Sequence, residues 1–341
     1  MSTTIRDVAR AAGVSVATVS RALTGNGVVS DETRRRIQAI AVELRYAPNA
    51  SARSLVSSHT HTVGFLLPDL YGEFFSEVIR GADLAARGLG YHLLVSSTHD
   101  GRDELEAALR AMRGRVDGLL MMAPDFDDTS VAAGLPESVP VVLLNGPARL
   151  GSMDSVSVDS YGGARAMMRH LFAAGHTRIA HVCGPAHNHD ATERRRGWAE
   201  ALREAGHHAP DTWAFSGDFT EIAGYDAARH LGTDFAAESR PTALFAANDA
   251  MAIGAISGLR EAGLTIPRDV AVVGFDDIPM ARYVMPALTS VHVAIPELGA
   301  RAVERLVEIM GDRAATAPRR EVLPATLVVR SSCGGRAPPS G

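Results

Sequence analysis

The sequence predicts a small all-α head followed by an α/β core of two doubly wound parallel-sheet units, and three observations carry that reading. The first 45 residues hold three short amphipathic patterns of helical period. From Val63 onward, apolar runs of strand length alternate with amphipathic helices, the signature of a parallel sheet. That alternation continues for about 270 residues, more than one hydrophobic core comfortably fills, so it divides into two.

The head reads as follows. Ile5, Val8, Ala9 and Ala12 recur at i, i+3, i+4 and i+7, and Gly13 then ends the helix, where glycine tolerates a left-handed cap. Ser15 caps the second helix; Val19, Ala22 and Leu23 form its inner face and leave Val16, Ala17, Thr18, Ser20 and Arg21 outward. Gly25-Asn26-Gly27 stops it. Ser30 caps a third helix, with Asp31 and Glu32 in the first turn, where the dipole favours anions, and Ile37, Ile40, Ala41 and Leu44 along one face.

Pro48 and Asn49 open a short helical candidate, Ala50 to Val56, followed by a polar linker from Ser57 to Thr62. Seven residues are too few to hold a helix alone. Strands are then expected at Val63–Leu67, Tyr91–Ser96, Gly118–Ala123, Val141–Leu144, Arg178–Cys183, Thr242–Ala246 and Val270–Gly274, with helices centred on Ile79, Leu109, Met168, Leu202, Ala228 and Ile256. The Gly-, Pro- and Ser-rich tail from Cys333 is expected to be disordered.

Composition excludes several classes. With 46% apolar and 21% charged residues and no apolar run long enough for a membrane span, the chain reads as a soluble globular protein. Arg6, Asp7 and Arg10 stand where a secretory signal would be apolar, so a cytoplasmic location is expected. Cys183 and Cys333 alone build neither a disulfide framework nor a four-ligand zinc site and read as buried thiols. Residues 1–61 carry eight Arg against Asp7, Asp31, Glu32 and Glu43, whereas the whole chain has net charge −5. A basic head on an acidic body suits a head that meets a polyanion.

Two short helices joined by a glycine turn within a basic domain form a helix-turn-helix, whose second helix enters the major groove. The run from Ile5 to Leu23, continued by Val29-Ser30, Thr33-Arg34, Leu44, Tyr46, Pro48-Asn49, Ala52-Arg53-Ser54-Leu55 and Val63-Gly64, resembles the head of the LacI/GalR family of transcriptional repressors. The resemblance extends over nearly the whole chain. It includes Val116-Asp117-Gly118-Leu119, Gly175-His176, Ile179, Gly184-Pro185, Arg194 before Gly197-Trp198, Asn248-Asp249 before Met251-Ala252, Gly274-Phe275-Asp276-Asp277 and Pro286 to Thr289.

The resemblance implies a periplasmic-binding-protein-like core of two Rossmann-like subdomains joined by three crossovers, near Asp159, Thr289 and Leu323. The expected division is a helix-turn-helix head at 1–47, a hinge helix and linker at 48–62, an N-terminal subdomain of 63–160 plus 291–323, a C-terminal subdomain of 161–290 plus 324–332, and a tail at 333–341. It implies a cytoplasmic homodimer, with no catalytic role and no cofactor, that binds a pseudo-palindromic double-stranded operator and answers to a small molecule, a sugar or sugar derivative. Some family members release DNA when ligand binds and others require ligand; the releasing sign is the one expected here.

By the same resemblance, Ser15 and Ser20 contact phosphates, Val16 and Ala17 occupy base-reading positions, and Thr18, Asn49 and Ala52 join the DNA-binding set. Leu55 matches a hinge leucine that wedges into the minor groove beside its dimer mate. Arg21 has the fork that recognises guanine O6 and N7, worth ~1–3 kcal/mol of discrimination. The matching effector positions are Phe74, Phe75, Asp159, Arg194, Phe219, Asn248 and Asp276. Guanidinium, carboxylate and amide supply donors and acceptors while flat aromatics cover apolar faces, which suits a neutral polyol. Phe74 and Phe75 serve equally as core or cleft residues, and local backbone donors could satisfy Asp276. Ser160, Asn145 and Val293 depart from the residues common at their positions, which leaves ligand identity open.

Other patterns carry less. Gly88-Leu89-Gly90 precedes a strand instead of following one and is no dinucleotide fingerprint. His187-Asn188-His189-Asp190 and His207-His208 lack further fixed-spacing ligands, so they read as surface loops with no metal. In Arg194-Arg195-Arg196 only Arg194 is expected to turn inward. A solute-binding protein of a transporter would explain residues 63–330 but not the head. An α/β enzyme would need a nucleophile, base and orienting group that no motif supplies.

Overall fold

The computed structural model describes residues 3–24, 28–46, 59–99, 102–122, 139–146, 153–207, 210–311 and 318–334. The hinge candidate, with Asn49, Ala52 and Leu55, lies outside the described residues, as does the tail beyond Gly334. The chain forms two compact units, residues 1–60 and 61–341.

In the first unit, α1 (Ile5–Ala12), α2 (Val16–Thr24) and α3 (Asp31–Glu43) follow the expected boundaries closely. The Asp7 carboxylate accepts from the Thr4 N–H and hydroxyl, reinforcing the start of α1. Gly13 takes φ 66° and lets the Val14 N–H return to the Ala9 carbonyl at 3.1 Å. Ser15 and Ser30 accept from the Thr18 and Thr33 N–H groups at 3.1 and 3.3 Å. Val8, Ala9, Ala12, Val19, Ala22, Ile37 and Ala41 are buried, with Leu23, Ile40 and Leu44 packed around them.

The second unit contains two six-stranded sheets. The first joins β1 (Thr62–Leu67), β2 (His92–Ser97), β3 (Gly118–Met121), β4 (Val141–Leu144), β5 (Asp154–Val158) and β11 (Arg320–Leu323) in the order β11-β5-β4-β3-β1-β2, all parallel. The second joins β6 (Ile179–Val182), β7 (Ala214–Phe215), β8 (Ala243–Ala246), β9 (Ala271–Asp276), β10 (Thr289–Val293) and β12 (Ala325–Val328) in the order β12-β10-β9-β8-β6-β7, with only β12 antiparallel. With their helices the sheets make two lobes. Helices α4 (Glu73–Gly88), α5 (Arg102–Met112) and α10 (Ile295–Gly311) belong with the first sheet. Helices α6 (Ser160–Ala173), α7 (His189–Glu204), α8 (Glu221–Thr233) and α9 (Asp249–Glu261) belong with the second.

Glycines set the closest helix contact. Added Cβ atoms would drive Gly224 of α8 into the Met251 carbonyl and Gly254 of α9 into the Glu221 carbonyl, so the two backbones touch face to face.

The chain passes between lobes at Asp159, Ala294 and Pro324. The first and third passages fall where expected. The second does not lie near Thr289, because β10 runs through Val293 wholly within the second sheet, so residues 291–293 belong to the second lobe. The tail expectation also needs correcting at its start. Cys333 ends a 3-10 turn (Ser331–Cys333), is 1% exposed, accepts from the Thr289 hydroxyl at 3.1 Å and lies 3.3 Å from His170 Nε2. Both cysteines are free and buried.

Candidate functional site

On the head, the exposed face of α2 carries Ser15, Val16, Ala17, Ser20 and Arg21, and Thr18 is half-buried behind them. Val19 and Ala22 turn inward and fix which face is free. The Ser15 hydroxyl both caps the helix and lies 2.9 Å from the Thr18 hydroxyl, while the Arg21 guanidinium folds back to the Ala17 carbonyl at 3.3 Å. All six positions therefore share one helical surface.

In the core, the parallel strands aim their carboxyl ends at the gap between the lobes, where open α/β sheets collect ligands. Arg194, on α7, is 4% exposed. Its Nη1 donates to the Ala247 carbonyl at the end of β8 (2.6 Å), its Nε to the Ser160 hydroxyl (3.4 Å), and its guanidinium lies 3.8 Å from the Phe275 ring centroid. Its Nη2 reaches Asp276 Oδ1 at ion-pair distance, 3.2 Å, but out of line for a hydrogen bond, so that buried oxygen keeps an unused acceptor position. Asp276 ends β9 at φ 102°, a left-handed conformation costly for a non-glycine residue.

Carboxylates outnumber cations here. Asp190 is buried one turn before Arg194 and accepts from Ser160 at 3.0 Å. Burial pushes the Asp276 carboxyl up to about 7, against the pull of Arg194 and with a further push from Asp190. Burial likewise raises Asp190, again opposed by Arg194. Asp249 lies well above the usual carboxylate range through burial and the nearby Asp276 charge; it accepts from the Ser290 hydroxyl (2.6 Å) and the Ile278 N–H (2.9 Å).

Phe219, at φ 72°, presses its ring against Gly184, where a side chain would collide with it. The Asn248 amide donates to the Phe219 carbonyl (2.9 Å) and caps α9 by accepting from the Met251 N–H (2.9 Å). The structure thus brings Arg194 together with Asp276, and Phe219 with Asn248. Phe74 and Phe75 stand on α4 of the other lobe, half-buried and packed edge to face at 5.5 Å. Asp159 is exposed at the first passage and caps α6 through the Gly162 N–H at 2.8 Å.

Sequence reasoning missed two members of this cluster. Asp190 was expected in a surface loop, yet Asn188 caps α7 and Asp190 sits in its first turn, facing inward. The available signal was its i, i+4 spacing from Arg194, which puts both on one helical face. Asp249 carried no signal beyond its place after Asn248. Among the described residues no group of three or more His, Cys, Asp or Glu is arranged to hold a metal ion. Of the two histidine runs, His207 packs against Phe172 at 5.6 Å and is half-buried, so it too departs from the surface-loop reading.

Residues 4–49 match the family described as bacterial regulatory proteins, lacI family, and residues 168–333 match the periplasmic binding protein-like domain. The chain is 36% identical over 307 residues to the ribose operon repressor of Escherichia coli K12, covering 89% of this chain and 92% of that one. It superposes on the lac repressor dimer bound to operator and the anti-inducer ONPF with TM-score 0.87, at 29% identity, covering 98% and 99% of the two chains. It also superposes on a LacI family regulator from Enterococcus faecium with bound ribose, TM-score 0.72 at 26% identity, covering 80% and 98%. A head with the exposed face of a recognition helix, a two-lobed core with buried polar groups at its strand ends, and these full-length likenesses together place the chain in the lacI family of bacterial regulatory proteins.

Proposed function

We propose that the protein is a cytoplasmic homodimeric repressor that binds a pseudo-palindromic operator and is released from it by a sugar or sugar derivative held between the two lobes. The observation that carries the ligand half is the buried Arg194–Asp276 pair: a guanidinium backed by an aromatic ring, beside a carboxylate oxygen with an unused acceptor position. A desolvated site with that oxygen gains most from a hydroxyl donor. Arg194, Asp276, Asn248 and Asp159 supply the polar contacts, and Phe74, Phe75 and Phe219 cover the apolar faces of the ring. The ribose-bound relative supports this ligand class, and the operator-bound lac repressor dimer supports the assembly and the nucleic-acid target.

On DNA, two copies of α2 enter successive major grooves. Ser15 and Ser20 hold phosphates, Val16 and Ala17 meet base edges such as thymine methyls, Thr18 supports the helix start, and Arg21 reads guanine. Asn49, Ala52 and Leu55 form the hinge contacts, with paired Leu55 side chains opening the central step. Control follows from linkage: a ligand that prefers one arrangement of the lobes shifts their equilibrium by its differential affinity, and the operator-binding form loses population. The protein needs no cofactor and catalyses nothing.

The test is to select bound sequences from random duplexes, then titrate the best duplex by fluorescence anisotropy with and without each member of a sugar panel. A two-fold-symmetric sequence preference and a saturable loss of affinity with one sugar are expected. Selection without any preference removes the DNA half of the reading; a panel that alters neither operator affinity nor melting temperature removes the sugar half.

A further inference from the structure

Val63-Gly64 and Val116-Asp117-Gly118-Leu119 supply none of the positions assigned to DNA or to the sugar. The fold sets them side by side. Val63 pairs with Gly118 and Gly64 with Leu119 in the parallel ladder of β1 and β3. A Cβ at Gly64 would strike Met112 and Leu119, and one at Gly118 would strike Leu306 and Met310 of α10, so both strands are pinned where they begin. Asp117, between the buried Val116 and Gly118, is half-buried at the amino ends of the strands.

The second unit of the chain begins at His61, one residue before β1, and that residue is held from several sides. Asp117 Oδ2 accepts from the His61 N–H at 2.8 Å. The Asp117 N–H in turn donates to the Thr62 carbonyl at 2.8 Å, and the His92 N–H donates to the His61 carbonyl at 2.9 Å. The His61 ring lies tilted against Tyr91 with centroids 5.9 Å apart. Burial, and with it the charge of Asp117, pushes the Tyr91 hydroxyl above its ordinary value. So clamped, His61 takes φ 49°, a left-handed conformation uncommon for a residue with a side chain. The strands present their other ends to the cleft, about 17 Å along β1, so the clamp and the sugar contacts share no residue.

We propose that Asp117 is a positioning residue for operator control: by holding the His61 N–H, its carboxylate sets the direction in which the linker leaves the first lobe and makes the start of the linker move with that lobe. What the linker carries follows from the repressor reading; the clamp does not depend on it. A chain free to swivel at His61 would let the first lobe shift without moving what is attached to it. Each head would also surrender more orientational freedom on reaching the operator, which weakens binding.

Amide exchange on the full chain tests the clamp, and fluorescence anisotropy tests its consequence. The His61 N–H should exchange slowly in the parent and in Asp117→Asn, which keeps an acceptor oxygen, and about tenfold or more faster in Asp117→Ala. His61 is exposed, so water takes up the freed donor and the melting temperature should not change. On the duplex selected with the parent, Asp117→Ala should bind about fivefold or more weakly and Asp117→Asn within about twofold of the parent, with all three alike on a scrambled duplex. Ribose and the other sugars of the panel should bind the DNA-free variants as they bind the parent, and the sugar that releases the parent should change the operator affinity of Asp117→Ala by a smaller factor; if none releases the parent, the operator comparison decides alone. Should Asp117→Ala melt lower, His61→Pro, which removes the donor and forbids a positive φ, is expected to weaken operator binding in the same way with the carboxylate intact. Full operator affinity in Asp117→Ala, equal losses on selected and scrambled duplexes, no recovery in Asp117→Asn, or unchanged His61 exchange overturns the assignment. If no duplex is selected at all, the repressor reading fails, and amide exchange still decides the clamp.

Discussion

The Arg194 guanidinium stands 3.8 Å from the centroid of the Phe275 ring, and Phe275 immediately precedes the carboxylate that Arg194 reaches at 3.2 Å. One strand end therefore supplies both the π-face beneath the cation and the anion beside it, which fixes the guanidinium in a single orientation before any ligand arrives.

Removing that fixed donor should weaken sugar binding with little effect on DNA. Arg194→Ala is expected to cost ~1–3 kcal/mol of effector affinity by leaving a ligand oxygen unpaired in a desolvated site. Asp276→Ala should behave alike. Calorimetry for the sugar, and anisotropy for the operator without sugar, measure the two halves; unaltered sugar affinity in both variants would take the pair out of the site.

Opposite pH dependences should be separable in this core. The folded-state value of Asp276 is raised to about 7, so the folded chain holds a proton that the unfolded chain has lost between pH 3.8 and 7. Its effect is to lower stability as pH rises through that window, and Asp276→Asn should flatten this fall. His181, fully buried beside Trp198 with Nδ1 on the Phe245 carbonyl, is depressed to about 3 by burial. Its unfolded form takes up a proton below pH 6.5, so stability is lost as pH falls from 6.5 toward 3. Urea titrations at pH 4, 5.5 and 7 on the parent, Asp276→Asn and His181→Gln would reveal both slopes, and parallel curves for all three would refute the assignment.

Arg21→Ala should relax sequence preference at one guanine in each half-site and leave the rest of the operator consensus standing. Repeating the selection with the variant tests this. A uniform drop in affinity on all duplexes would instead make Arg21 a phosphate contact.

Close packing of α8 on α9 predicts a large response to a single methyl group. Gly254→Ala has no free volume at the Glu221 carbonyl, so the helices must separate, at a cost of ~1–3 kcal/mol and a lower melting temperature. Gly263→Ala, at φ 78° with open space around its Cβ position, tests backbone strain alone and should cost less. Equal losses would deny the close contact.

Much of this molecule could be read from its residues, for reasons that also explain the gaps. Buried central strands such as Val141–Leu144 are continuous apolar runs and stand out in the sequence, whereas β5 (Asp-Ser-Val-Ser-Val) and β10 (Thr-Ser-Val-His-Val) alternate with polar residues and pass for loops. Missing β10 moved the second passage five residues too early. Arg194 was legible because its motif, not its spacing, marked it; Asp190 was hidden among histidines that suggested solvent. Asn248 was read as a ligand contact, and the structure gives it two structural duties first, the cap of α9 and the Phe219 carbonyl.

The three passages at Asp159, Ala294 and Pro324 mean that neither lobe is encoded by one continuous stretch of the chain. No single cut within the core releases an intact half, so a gene product truncated before Arg320 lacks strands from both sheets and a proteolytic nick leaves the pieces interleaved. Relative movement is confined too. The two lobes are tied together at three separate points of the chain, so neither can part from the other without three segments yielding together.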